Sequence, residues 1–249
     1  MDAVTRLAPY FDLQLRFAAR LAEVGGPPLG EAVTWYTNLH RRFGLGMARR
    51  DQPASALWRR LLDGLGEAPD HAARLAWTLE CFAAAPPEQP PPGQHRFGCF
   101  ACDAPDGSGV LKLHFSNADG DDVSPLAEAR RARRRAELTA MFAFVAANHP
   151  DAASVRGTSW LYHLEAYRRL YPPGYAASRR PPDRPLHFHG SSSWGQFLDH
   201  RGAIKPAARD RMLANLPALD PLRLREAFPL PALLVTAPID EFLRYYGVR

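Results

Sequence analysis

Lysine is nearly absent from this 249-residue chain: of 31 basic residues only Lys112 and Lys205 are lysine, and the rest are arginine. Cysteine is also scarce, limited to Cys81, Cys99 and Cys102. An odd, sparse set with no secretory segment argues against a disulfide framework. Structural zinc commonly needs two cysteine pairs or a pair plus histidines; beside Cys99 and Cys102 the second pair is missing, and His95 and His114 are the nearest possible additions. The two thiols therefore read as small apolar strand residues. No apolar run approaches the roughly 20 residues needed to span a bilayer. The longest, at 141–147, is far too short. The opening segment spreads acids and arginines throughout and has no apolar stretch of the secretory type. These absences lead to the expectation of a cytoplasmic protein with no membrane partner. The dinucleotide fingerprint, the phosphate loop and the nucleophile elbow are missing too, so no motif fixes a cofactor or a reaction.

The net charge of +5 raises the question of a nucleic-acid partner. Arginine in place of lysine, with abundant alanine and proline, matches the codon usage of a GC-rich genome. The sharpest basic run, Arg130, Arg131, Arg133, Arg134 and Arg135, falls on a predicted helix and reads as a solvated face. This reading argues against nucleic acid as a partner.

Proline is concentrated at 86–93, PPEQPPPG, which neither a helix nor a sheet interior accepts. The segment reads as a stiff linker between a helical region at 1–85 and an α/β domain at 94–249. Before it, apolar residues recur at helical spacing, as in Leu7, Phe11, Leu15 and Ala18, or Leu57, Leu61 and Leu65. About four helices are predicted there, forming a bundle or cap, with Asp70 as an N-cap. Arg41 to Gly46 fits the R-x-x-G-x-G string of acetyl-coenzyme-A-binding acetyltransferases. It ends a helical stripe instead of following a strand, so Gly44 reads as a helix cap.

After the linker, period two takes over. The runs 96–102 and 110–116 flank DAPDGSG and predict a hairpin. A helix over 125–147 and a strand over 153–160 complete a βαβ unit, which implies a parallel pair. Further strands are predicted at 186–190 and 231–237, with helices at 164–171, 206–216 and 220–227 and a last helix at DEFLRYYG. The fold class is therefore α/β or α+β, a helical N-terminal region followed by a mixed, partly parallel sheet with flanking helices.

Polar residues follow four of these strands, and open α/β sheets bind ligands at such an edge. If the strands are parallel neighbours, Asn117, Asp119, Ser159, Tyr162, His189, Ser191 and Asp240 converge. Trp160 and Trp194 offer aromatic walls, and Arg168 offers a bidentate hold on an anion. His189, at a strand end, is the first candidate for general acid–base work, followed by His163, with Asp240 as a carboxylate partner. His187 and His189 share a strand parity and could begin a metal site. These residues lead to the expectation of a hydrolase or group transferase acting on a small polar or anionic substrate. Two alternatives stand beside it. One is a non-catalytic binding or regulatory protein for a small molecule or peptide, and the other is a metalloprotein using His187 and His189.

Overall fold

A computed structural model of the chain describes residues 2–89, 93–182 and 188–248. In order, the elements are α1 (Ala3–Glu23), α2 (Leu29–Tyr36), α3 (Ala56–Glu67), α4 (His71–Ala83), β1 (His95–Phe97), β2 (Phe100–Cys102), β3 (Val110–Phe115), α5 (Arg131–Asn148), β4 (Ser154–Ser159), α6 (Glu165–Arg168), α7 (Pro173–Ala177), α8 (Ser191–Trp194), α9 (Pro206–Asn215), β5 (Leu233–Pro238) and α10 (Ile239–Tyr246). They form two compact units, 1–89 with 186–231, and 90–185 with 232–249. The fold is mixed α/β with a helical N-terminal region, as expected.

In the first unit the helices begin where short polar side chains cap them. Asp2, Ser55 and Asp70 accept from the amides of Thr5, Trp58 and Ala73 at the starts of α1, α3 and α4. Helix α3 thus starts directly after Ser55. The apolar face of α1 buries Tyr10, Phe11, Leu13, Leu15, Phe17 and Leu21. Phe188, Trp194, Phe197 and Phe228 enter the same core, with the Trp194 ring 5.4 Å from Phe17 and 5.1 Å from Phe228. Burying each large side chain stabilises by roughly 1.5–3 kcal/mol. That packing is why 186–231 groups with the helices and not, as the sequence suggested, with the sheet. The strand predicted at 186–190 is not formed where it is described: 188–190 is a turn leading into α8, and 186–187 lie outside the described residues. The start of the proline-rich segment is held too, because Glu88 pairs with Arg41 at 2.7 Å and Arg42 at 3.0 Å. Gly44 takes the left-handed conformation expected of a cap, at φ 69°.

The second unit is built on a five-stranded sheet in the order β1-β2-β3-β4-β5. Strands β3 and β4 are parallel across the α5 connection, as the βαβ reading predicts, and every other neighbour is antiparallel. The run 96–102, expected as one strand, is itself a tight hairpin that turns at Gly98, where φ is 60°. Helix α5 starts at Arg131, later than Pro125, after a 3-10 turn at Glu128–Arg130. Helices predicted at 164–171 and 220–227 shrink to α6 and to a 3-10 turn at Leu224–Ala227. No helix among the described residues is long and apolar enough to cross a membrane.

Strict alternation decides how the sheet is covered. Phe100, Cys102, Leu111, Leu113, Val155, Val235 and Ala237 all belong to the second core, with α5, α10 and a group of tyrosines. Tyr162, Tyr167, Tyr171 and Tyr175 pack ring against ring at 5.0–6.3 Å. The Tyr162 and Tyr175 hydroxyls meet at 2.8 Å above Gly157 of β4. A Cβ at Gly157 would overlap the Tyr162 hydroxyl, so a side chain there would have to displace the tyrosines. Gly157→Ala should therefore destabilise the protein by about 1–3 kcal/mol, the usual range for overpacking. Urea denaturation checks this. Combining it with Tyr162→Phe, which removes the overlapped oxygen, should recover part of the loss.

Candidate functional site

The loop that follows β3 turns one of its three acids inward, while Asp121 and Asp122 are exposed. Asp119 is drawn in by the helix it precedes, and its side chain is only 1% exposed. Arg134 and Arg133 approach one carboxylate oxygen at 2.9 and 3.1 Å, and Arg130 approaches the other at 3.1 Å. Glu137 completes the group, 3.0 Å from Arg134 and 3.3 Å from Arg133, and accepts the Cys99 amide at 3.1 Å. Arg130 also binds Asp121, holding that carboxyl below the ordinary range. Three guanidinium groups face three carboxylates, so the cluster is neutral in sum. The basic run is thus not simply a solvated face. Arg134 is fully buried, and the run fastens the β3–α5 connection.

The other polar residues after β3 and β4 are used locally. The Asn117 side chain accepts the Asp119 amide at 3.1 Å. Ser159 accepts the Leu161 amide at 3.1 Å, capping the 3-10 turn Trp160–His163. Tyr162 is buried in the tyrosine group, and burial pushes its phenol well up. Arg168 donates to the Tyr162 and His163 carbonyls at 3.3 and 3.0 Å and to Glu165 at 2.6 Å. Trp160 is half-buried. Asp240 is exposed in the first turn of α10. Because β5 runs antiparallel to β4, Pro238 faces Ser154, and Asp240 follows the sheet edge opposite to Ser159 and His163. The length of β4 puts roughly 17 Å between those edges.

His189, Ser191 and Trp194 belong to the first unit. His189 is 7% exposed, with its ring edge-on to Trp35 at 5.9 Å. Ser191 opens α8 and is half-buried. Trp194 is core: its indole N–H donates to the Tyr36 carbonyl at 3.0 Å, and its own carbonyl accepts the Tyr10 hydroxyl at 3.2 Å. The expected convergence of strand ends is therefore corrected. Asn117, Asp119, Ser159 and Tyr162 share one sheet edge, Asp240 follows the other, and His189 and Ser191 are in no strand. His187, the second metal candidate, lies outside the described residues. Among those described, no group of three or more histidine, cysteine, aspartate or glutamate side chains is placed to hold a metal ion. Cys99 and Cys102 are free and buried, and burial pushes the Cys102 thiol up to about 11.

The sheet itself offers a second polar surface. Alternate residues on the face opposite the core are Arg96, Ala101, Asp103, Val110, Lys112, His114, Ser154, Arg156, Thr158, Leu234, Thr236 and Pro238, and none of them enters either hydrophobic core. Register sets them in rows. Lys112 lies directly across from Arg156, which lies across from Thr236. Lys112 and Arg156 are exposed, and neither makes an ion pair with a described residue. Asp103 is the one acid among these positions and is taken up by His114 at 2.9 Å and Gln94 at 3.2 Å. Burial pushes its carboxyl up, but the His114 and Gln94 hydrogen bonds and the Lys112 charge outweigh this and hold it low. Like charges directly opposite each other in a sheet are destabilising. The sequence reading passed over Lys112 and Arg156, although both sit at the polar parity of their strands. Only the β3–β4 register makes them neighbours.

Two surface clefts occur in the first unit. One of about 730 Å³ lies along α3 and α4, with Arg59, Arg60, Asp63 and Trp77. The other, of about 420 Å³, lies between α2 and α3, with Glu31, Trp35 and Trp58. No candidate acid–base residue lines either cleft. Comparison of the chain with protein-family models, curated proteins and solved structures finds no match.

Two outcomes follow from these placements. Arg134→Met leaves Asp119 buried beside fewer cations, and breaking such a pair typically costs about 3–5 kcal/mol. Chemical denaturation should show a loss of that size, reduced when Asp119→Asn is added. His189→Ala should lower the melting temperature, because the buried ring packs on Trp35; an unchanged melting temperature would contradict a packing role.

Proposed function

We propose that the protein is a non-catalytic binding protein and that its ligand is an anion held on the polar face of the sheet. The observation that carries this reading is the exposed pair Lys112–Arg156, two cations directly across from each other; no described acid makes an ion pair with either, and the nearby Asp103, which feels the Lys112 charge, is hydrogen-bonded to His114 and Gln94. An anion seated between them would convert a repulsive pair into an attractive one. The Thr236 and Thr158 hydroxyls on the same face supply further donors. The hydrolase or transferase reading has less behind it. It needs a histidine, a carboxylate and a ligand-holding group within hydrogen-bond reach, and His163 and Asp240 follow opposite edges of the sheet.

Elution from immobilised heparin tests the reading. Lys112→Ala with Arg156→Ala should elute at clearly lower salt than the unaltered protein. The control, Arg211→Ala with Arg225→Ala, removes the same charge from two exposed arginines of the first unit and should shift elution much less. Equal shifts in the two double variants would mean that net charge alone is being read, and the proposal would fail.

A further inference from the structure

The partner of this face can be narrowed, on the reading that the face binds an anion. From β1 to β5 it spans four inter-strand spacings, roughly 19 Å. Pockets for small molecules are concave and enclose most of the ligand; a sheet face presenting Lys112 and Arg156 to solvent does not. The partner is therefore extended. Stable protein–protein interfaces carry an apolar or aromatic centre. Among the described residues the apolar members of this face are Ala101 and Val110, both buried, and Leu234 and Pro238 on the β5 strand, so no exposed apolar or aromatic cluster stands beside Lys112 and Arg156, and every phenylalanine of β1, β2 and β3 stands at the opposite parity. The same lack of aromatics disfavours single-stranded nucleic acid, whose bases stack on aromatic platforms. Among nucleic acids this favours a duplex, a polyanion that offers its charge on the outside and keeps its bases inside.

We infer that the polar sheet face, through its exposed cations, binds the phosphate backbone of double-stranded nucleic acid without reading its sequence. Arg96, on β1, and the Lys112–Arg156 pair, on β3 and β4, lie up to three strands apart, roughly 14 Å. They can therefore meet separate phosphates. Arginine, lysine and threonine hydroxyls are the usual donors to phosphate oxygens, and such contacts position a protein on a duplex without specifying a base. The expectation drawn from the 130–135 run is no obstacle, because that run fastens Asp119 and the face is charged by other residues.

The test uses the full chain and fluorescence anisotropy with labelled DNA and RNA duplexes of one mixed sequence. The single strand of each and a polyglutamate peptide are compared across a salt series. Either duplex should bind more tightly than its single strand and than polyglutamate. With about 0.9 of log–log salt slope per neutralised phosphate, Lys112→Ala with Arg156→Ala should flatten the slope by about 2. Scrambling the duplex sequence should leave affinity within about twofold. Tighter binding of the single strand overturns the duplex assignment. Polyglutamate binding that requires Lys112 and Arg156, with neither duplex bound, overturns the nucleic-acid inference but keeps the anion-binding reading. Binding of none of these probes overturns both.

Discussion

One-sided burial of the five-stranded sheet is the constraint on which the second unit depends. Side chains alternate with period two, so a one-residue slip of β4 against β3 would expose Val155 and bury Arg156. The hydrophobic difference between those outcomes fixes the register. The register then sets Lys112 beside Arg156 and Val155 beside Leu111. The packed face and the charged face are thus two consequences of one choice. The core selects it, and the exposed cations accept the neighbours that result.

The β3–α5 connection meets the same problem with different chemistry. It crosses from one parallel strand to a helix lying over the core face, and its acids would oppose one another if left in water. Three arginines, Arg130 just before α5 and Arg133 and Arg134 in its first turn, draw Asp119 inward instead. A buried charge cluster adds little net stability over an apolar equivalent, because desolvation offsets most of the Coulomb gain. Its cost falls on alternatives: a connection that placed Asp119 elsewhere would leave the buried Arg134 with Glu137 as its one carboxylate partner among the described residues. The cluster therefore acts more on which arrangement forms than on how stable that arrangement is.

The legible parts of the fold were those written in local pattern. The stripes of α1 and α3, the Asp70 cap, the β2–β3 hairpin and the parallel β3–β4 pair all rest on residues near one another in sequence. The failures were tertiary. The apolar run at 186–190 has strand-like composition, but Phe188 finds its partners in Tyr36 and Phe228 of the helical unit. No local pattern announces that. The arginine run looked solvated because a sequence does not show Asp119 folding back against it. Gly98, inside an apparently continuous strand, was the one legible sign that 96–102 turns.

The same asymmetry explains why the chemically suggestive residues proved structural. Serine, asparagine and arginine just after a strand are well placed to close the backbone donors and acceptors that the strand leaves open. Ser159, Asn117 and Arg168 do that here. A polar residue at a strand end therefore has two uses that composition does not separate. A cation in mid-strand on an exposed face has fewer structural uses, since the backbone around it is already paired in the sheet. Lys112 and Arg156 are in that position, and their in-register placement is tolerated although it works against the fold. An unfavourable feature that the core does not require is a better pointer to a binding surface than a favourable one that the backbone already uses.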